Sequence, residues 1–168
     1  MSSRSSGVHS GSTYAAAGIV GEWGTGNLTR SVALRFVSGP LLPTPITAEF
    51  MEWVWRVPAQ TGGHRSDELR HPQTLASIAA FINKRQDELD PHVLAGTVLY
   101  RFCDEQPFGD CNKRTGLIMA DLLMRRAGYQ LVRGNEETSA YLNLFATNHP
   151  SKTAVIEWVR DGFALRTD

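Results

Sequence analysis

The segment 113–127 constrains this chain more than any other. Leu117, Ile118, Met119, Ala120, Leu122, Leu123 and Met124 leave only Asp121, Arg125 and Arg126 as clearly polar positions in its body. A surface helix carries one apolar stripe, whereas a helix apolar nearly all round has to be covered nearly all round. The pattern therefore predicts a mainly α protein, a helical bundle with this segment at its centre. It also expects Asp121 and Arg125 to form an ordinary i, i+4 pair facing solvent. Gly128 stands where the C′ residue of such a helix belongs.

The neighbours of this helix follow from periodicity and punctuation. Leu75, Ile78, Ala79 and Ile82 recur at i, i+3, i+4 and i+7, the spacing of one buried helical face. Asp90 as cap and Pro91 in the first turn open a further helix that carries Val93, Leu94, Val98, Leu99 and Phe102. Two shorter helices are expected over 137–147 and 151–161, the second capped by Ser151 and closed by Gly162. Earlier, after Pro40, Pro43 and Pro45, Thr47 caps a helix that should run to about Trp53. Residues 56–71 are polar, with Gly62, Gly63, His64 and His71, and read as a loop or a small β-hairpin. Residues 28–37 read as a strand or a short helix. Trp53, Trp55 and Trp158 are expected as core or flank residues.

The first seventeen residues read as a flexible tail and 18–168 as one domain. Ser and Gly dominate the opening residues, and no apolar segment suggests a signal peptide. The glycines at 21, 24 and 26 lack the lysine of a phosphate loop and are expected to be plain loop. A chain of 168 residues can bury a proper core in a single domain. Its 17 Lys and Arg cancel its 17 Asp and Glu, so no global field draws it to nucleic acid or a membrane. Any anion must then be held by local geometry. No apolar run reaches the length of a membrane span. Cys103 and Cys111 fit neither a disulfide framework nor a zinc pattern, and two free thiols imply a reducing, cytoplasmic setting.

The anomaly lies between the two most apolar helices. Asp104, Glu105, Gln106, Asp110, Asn112, Lys113 and Arg114 crowd into the connection that feeds the central helix. A helix N-terminus offers unsatisfied N–H groups and the positive end of its dipole, which together suit an anion such as phosphate. Lys113 and Arg114 in the first turn oppose that dipole, a placement that makes sense if an anion binds beside them. Asp110 is placed to hold a divalent cation that bridges phosphates, since Mg²⁺ is satisfied by one or two carboxylates plus substrate oxygens.

This stretch resembles the signature of the Fic/Doc family, His-x-Phe-x-(Asp/Glu)-(Gly/Ala)-Asn-(Gly/Lys)-Arg. Phe108, Asp110, Asn112, Lys113 and Arg114 match it, and Thr115 fits the Asn-Lys-Arg-Thr form of the Doc-like branch. The likeness spans about 72–163. It implies a nucleotide-dependent transferase that moves AMP, or in Doc-like members phosphate, from a nucleoside triphosphate such as ATP to a hydroxyl of a protein or small molecule. By that resemblance Asp110 would coordinate Mg²⁺, and Phe108 would anchor the loop in the core. Gly109, Cys111 and Asn112 would shape the loop around the phosphates, and Lys113 and Arg114 would pair with phosphate oxygens. Fic-branch members carry a second arginine three positions beyond the first. That position is Leu117 here, which favours the Doc-like branch.

The departure is Gln106, at the position of the family's general-base histidine. A neutral amide accepts no proton at physiological pH, and a positioned base is worth about 10²–10⁴-fold in rate. The resemblance thus leaves three readings open: an inactivated transferase, a non-catalytic nucleotide-binding pseudoenzyme or regulatory module, and transfer to a nucleophile that needs no strong base. His64 and His71 lie in the region that often forms a flap in this family, but a lone loop histidine is ordinarily just solvated. Cys111, beside Lys113 and Arg114 at a helix N-terminus, is expected to have a lowered pKa if it is more than a tolerated small residue. The inhibitory pattern (Ser/Thr)-x-x-x-Glu-(Gly/Asn) has only the spacing from Thr153 to Glu157, because Trp158 follows. An active enzyme of this kind would call for a separate antitoxin partner.

Overall fold

A computed structural model describes residues 42–61 and 68–167. The expected tail, the glycine cluster, the 28–37 element and His64 lie outside the described residues. The rest is mainly helical, with six helices and a small antiparallel sheet among the described residues. The elements run α1 (Ala48–Thr61), α2 (Pro72–Arg85), α3 (Pro91–Glu105), α4 (Asn112–Arg126), β1 (Tyr129–Leu131), α5 (Asn135–Thr147), α6 (Lys152–Gly162) and β2 (Phe163–Leu165).

The start signals act as their chemistry predicts. Thr47 Oγ1 accepts a bond from Phe50 N at 3.2 Å, the Asp90 carboxylate accepts from His92 N and Val93 N, and Ser151 Oγ accepts from Ala154 N. The apolar period of α2 buries Leu75, Ile78, Ala79 and Ile82 as a set. In α1 the helix continues eight residues beyond Trp53, through Pro58 to Thr61, so the loop expected from Arg56 starts later. A proline inside a helix forfeits a backbone bond. Burial of Phe50, Met51, Val54 and Trp55 on the same face offsets that loss.

The centre of the bundle is a pair of helices rather than α4 alone. Helix α3 packs against α2, α4 and α6, while α4 packs against α3, α1 and β1. Glycines let these helices come close: a Cβ on Gly116 of α4 would stand 2.8 Å from Phe102 Cβ of α3, and one on Gly96 of α3 would stand 2.7 Å from Ile156 Cα of α6. Across the far end of α4, β1 pairs with β2 in the register Tyr129↔Leu165, Gln130↔Ala164 and Leu131↔Phe163. Gly128, with φ +88°, turns the chain out of α4 into this sheet. Three-residue strands whose partners are far apart in sequence leave no periodic signal, and neither was expected.

The surface pair expected at Asp121 and Arg125 is a correction. The two side chains do meet, Arg125 Nε donating to Asp121 Oδ2 at 2.7 Å. Yet Asp121 is only 2% exposed. Because neighbours cover α4 almost completely, the carboxylate is enclosed and Arg125 carries the compensating charge. Among the described residues no helix is long and apolar enough to cross a membrane.

Candidate functional site

The connection 106–111 and the first turn of α4 form a small, internally braced loop. Its anchor is Phe108, fully buried, stacked on Trp55 of α1 with ring centroids 4.7 Å apart and 8° between planes. Phe102 of α3 lies on the same aromatic stack at 6.4 Å. The brace is Asn112. Its Oδ1 accepts from Phe108 N at 2.9 Å, and its Nδ2 donates to Phe108 O at 2.8 Å, so one buried amide holds both polar groups of one loop residue. Such reciprocal pairing leaves no partner stranded and fixes the loop in one geometry. The Asn112 side chain thus shapes the loop through the backbone of Phe108.

Other bonds complete the brace. Trp55 Nε1 donates to Asp110 O at 3.1 Å, Gly109 N donates to Glu68 O at 2.9 Å, and Asp110 Oδ1 accepts from Cys111 N at 2.6 Å. The hydroxyl of Thr115, which is wholly buried, donates to Cys111 O at 2.9 Å. The segment before α2 lies along the loop as well. Leu69 bridges Phe108 in antiparallel fashion, and the N–H groups of Arg70 and His71 both donate to Pro107 O. Gln106 and Cys111 take left-handed backbone angles, φ 44° and 62°, which reverse the chain between α3 and α4.

This bracing narrows which groups remain for a ligand. The N–H groups of Phe108, Gly109 and Cys111 are spent inside the protein. The helix itself leaves without intrahelical acceptors the amides of its first turn, at Asn112, Lys113 and Arg114. The side chains of Lys113 and Arg114 are half-buried at the same end, and neither pairs with a carboxylate among the described residues. Gln106 is exposed at the rim. Glu105, although close in sequence, turns away and gives both oxygens to Arg101, which continues to Ser77 of α2.

Asp110 keeps one carboxylate oxygen beyond its bond to Cys111 N. No group of three His, Cys, Asp or Glu side chains able to hold a metal occurs among the described residues. A single carboxylate fits Mg²⁺ only where phosphate oxygens and water complete the shell.

Cys111 departs from the expected lowered pKa. Burial pushes its thiol up; the Arg114 guanidinium, 3.0 Å from Sγ, opposes this and Asp110 adds to it. Burial pushes Cys103 up to about 12. The helix N-terminus is outweighed because Cys111 is enclosed, 5% exposed.

Sequence reasoning missed two contributors. Trp55 is core, as expected, but its indole N–H also holds the loop; a buried indole needs an acceptor, and that need was the available signal. The 68–71 segment gave none, because its contacts are made by backbone atoms. No protein-family model matches the chain, and no curated protein matches it.

Proposed function

We propose that the first turn of α4 binds the phosphates of a nucleoside triphosphate, in the manner of a Fic/Doc-like protein that transfers AMP or phosphate to a hydroxyl. The observation that carries this reading is the Asn112 brace. It spends a buried side chain on loop geometry and leaves first-turn amides, Lys113 and Arg114 at one mouth. Cations there weaken the helix unless an anion joins them. Asp110 would hold Mg²⁺, which would neutralise phosphate charge. Lys113 and Arg114 would take phosphate oxygens by charge-assisted hydrogen bonds. Gln106 gives the loop no proton acceptor of its own. That absence favours a second reading, a module that binds nucleotide without turning it over.

Calorimetry with ATP and Mg²⁺ tests the common part. Binding in the micromolar to millimolar range is expected, weakened at least tenfold in Arg114→Ala and in Asp110→Asn. No heat of binding in the parent chain would remove the phosphate reading altogether. A mass-shift assay comparing the parent with Gln106→His then separates the two readings: transfer by the parent marks an enzyme with a base elsewhere, and transfer only in Gln106→His marks a binding module that lacks one.

A further inference from the structure

We propose that His71 is the proton acceptor for the attacking hydroxyl, serving from the adjoining segment where Gln106 cannot serve from the loop. This rests on the reading of the loop as a phosphate site for transfer to a hydroxyl. The backbone N–H groups of Arg70 and His71 donate to Pro107 O at 2.9 and 3.0 Å, and Leu69 bridges Phe108. Pro107 follows Gln106 directly, so the backbone of His71 is fastened next to the residue that adjoins the position of a loop base. His71 is exposed, and as the N-cap of α2 it makes no side-chain capping bond. The helix starts on Pro72, whose missing N–H needs no acceptor.

The other titratable groups nearby are engaged or chemically weaker. Both Glu105 oxygens are taken by Arg101, Asp110 accepts from Cys111 N, and Asp104 is a solvent-exposed carboxylate. Glu68 and Arg70 flank His71 on its own segment, both exposed. A solvated carboxylate is a poor base near neutral pH and a guanidinium is none, whereas an imidazole suits the task. His92 packs on the Tyr129 ring at 4.6 Å, and His149 lies in the connection after α5. Among the described residues, His71 is the histidine whose backbone is hydrogen-bonded to the loop.

In the step so assigned, the hydroxyl oxygen forms a bond to phosphorus as its proton passes to the imidazole. The bond from phosphorus to the departing phosphate oxygen breaks, and its electron pair leaves with that group. The proton is later released to water.

The test uses the full chain, ATP as donor, and the chain itself plus a mixed Ser/Thr/Tyr peptide library as acceptors, read by mass shift. His71→Ala should lower transfer by about 10²-fold or more, leave ATP affinity within about twofold, and be rescued by added imidazole. His71→Gln, closer in size, should show the same loss if the alanine variant folds poorly. His149→Gln, in the connection after α5, should transfer at the parent rate. Unchanged transfer in both His71 variants would overturn the assignment, as would an equal loss in His149→Gln. ATP binding without any transfer by the parent would also overturn it, leaving a binding module. Absence of ATP binding would instead remove the reading beneath it.

Discussion

The two halves of α4 handle buried polarity in opposite ways. At the N-terminal end, Asn112 and Thr115 are buried and the hydrogen bonds of their side chains go to the backbone of the preceding loop. Two turns later, Asp121 is just as buried, but among the described residues its one hydrogen-bond partner is Arg125 and its Oδ1 has none. The first arrangement specifies a shape. The second is a costly charge, because an enclosed carboxylate with a free lone pair loses hydration that one guanidinium does not fully replace. Buried polar groups on the same helix therefore differ in meaning according to where their bonds go. The pairing of Asn83 with both polar groups of Ile46, at 2.9 and 2.7 Å, resembles the Asn112 device but lies at the entry to α1.

The largest effect should follow from removing the anchor of the braced end. Phe108→Ala deletes a wholly buried ring and should cost about 3–5 kcal/mol in chemical denaturation. Next, Asn112→Ala strands Phe108 N and O, at about 1–3 kcal/mol for each group, and should abolish ATP binding. Asn83→Ala is the sharper control: it should lose stability through the same kind of bond yet leave ATP affinity unaltered. Equal loss of affinity in the two variants would show that the loop brace has no special role.

A smaller effect, of opposite sign, is expected at the other half. Burial raises the Asp121 pKa above its ordinary value, against the pull of Arg125. The folded state therefore holds that proton more tightly than the unfolded chain. Its contribution is fully present below the unfolded value near 3.8 and is lost as pH rises through the raised folded value. Asp121→Asn should match or exceed the parent's melting temperature at pH 7 and flatten the pH dependence above about pH 4. A marked loss of stability at pH 7 would show that the ion pair outweighs the burial. The smallest effect concerns thiol reactivity. Both cysteines should label slowly, Cys111 ahead of Cys103 because Arg114 lies at its sulfur, and ATP should slow Cys111 further. Equal rates insensitive to ATP would detach Cys111 from the site.

Much of the architecture was legible along the chain, where the signals are local. The caps at Thr47, Asp90 and Ser151, the period of α2 and the glycine after α4 each depend on residues a few positions apart. What failed depended on distant packing: α1 extends past Pro58 because its apolar face is covered, and the β1–β2 sheet joins segments separated by two helices. The crowding of 104–114 marked the candidate site, but not which of its amides remain available. Neither Trp55 nor Glu68 is near the loop in sequence, and both hold it in space.

By itself the sequence determined that 113–127 is helical and must be enclosed, since so apolar a surface is stable only away from water. It also determined which residue types gather at the N-terminus of that helix. Only the tertiary structure decided that Asp121 is enclosed with it, that burial raises rather than lowers the Cys111 pKa, and that His71 adjoins the loop. The reason is common to all three. Burial and hydrogen-bond partners belong to the packed neighbourhood of a group, and most of that neighbourhood comes from elsewhere in the chain.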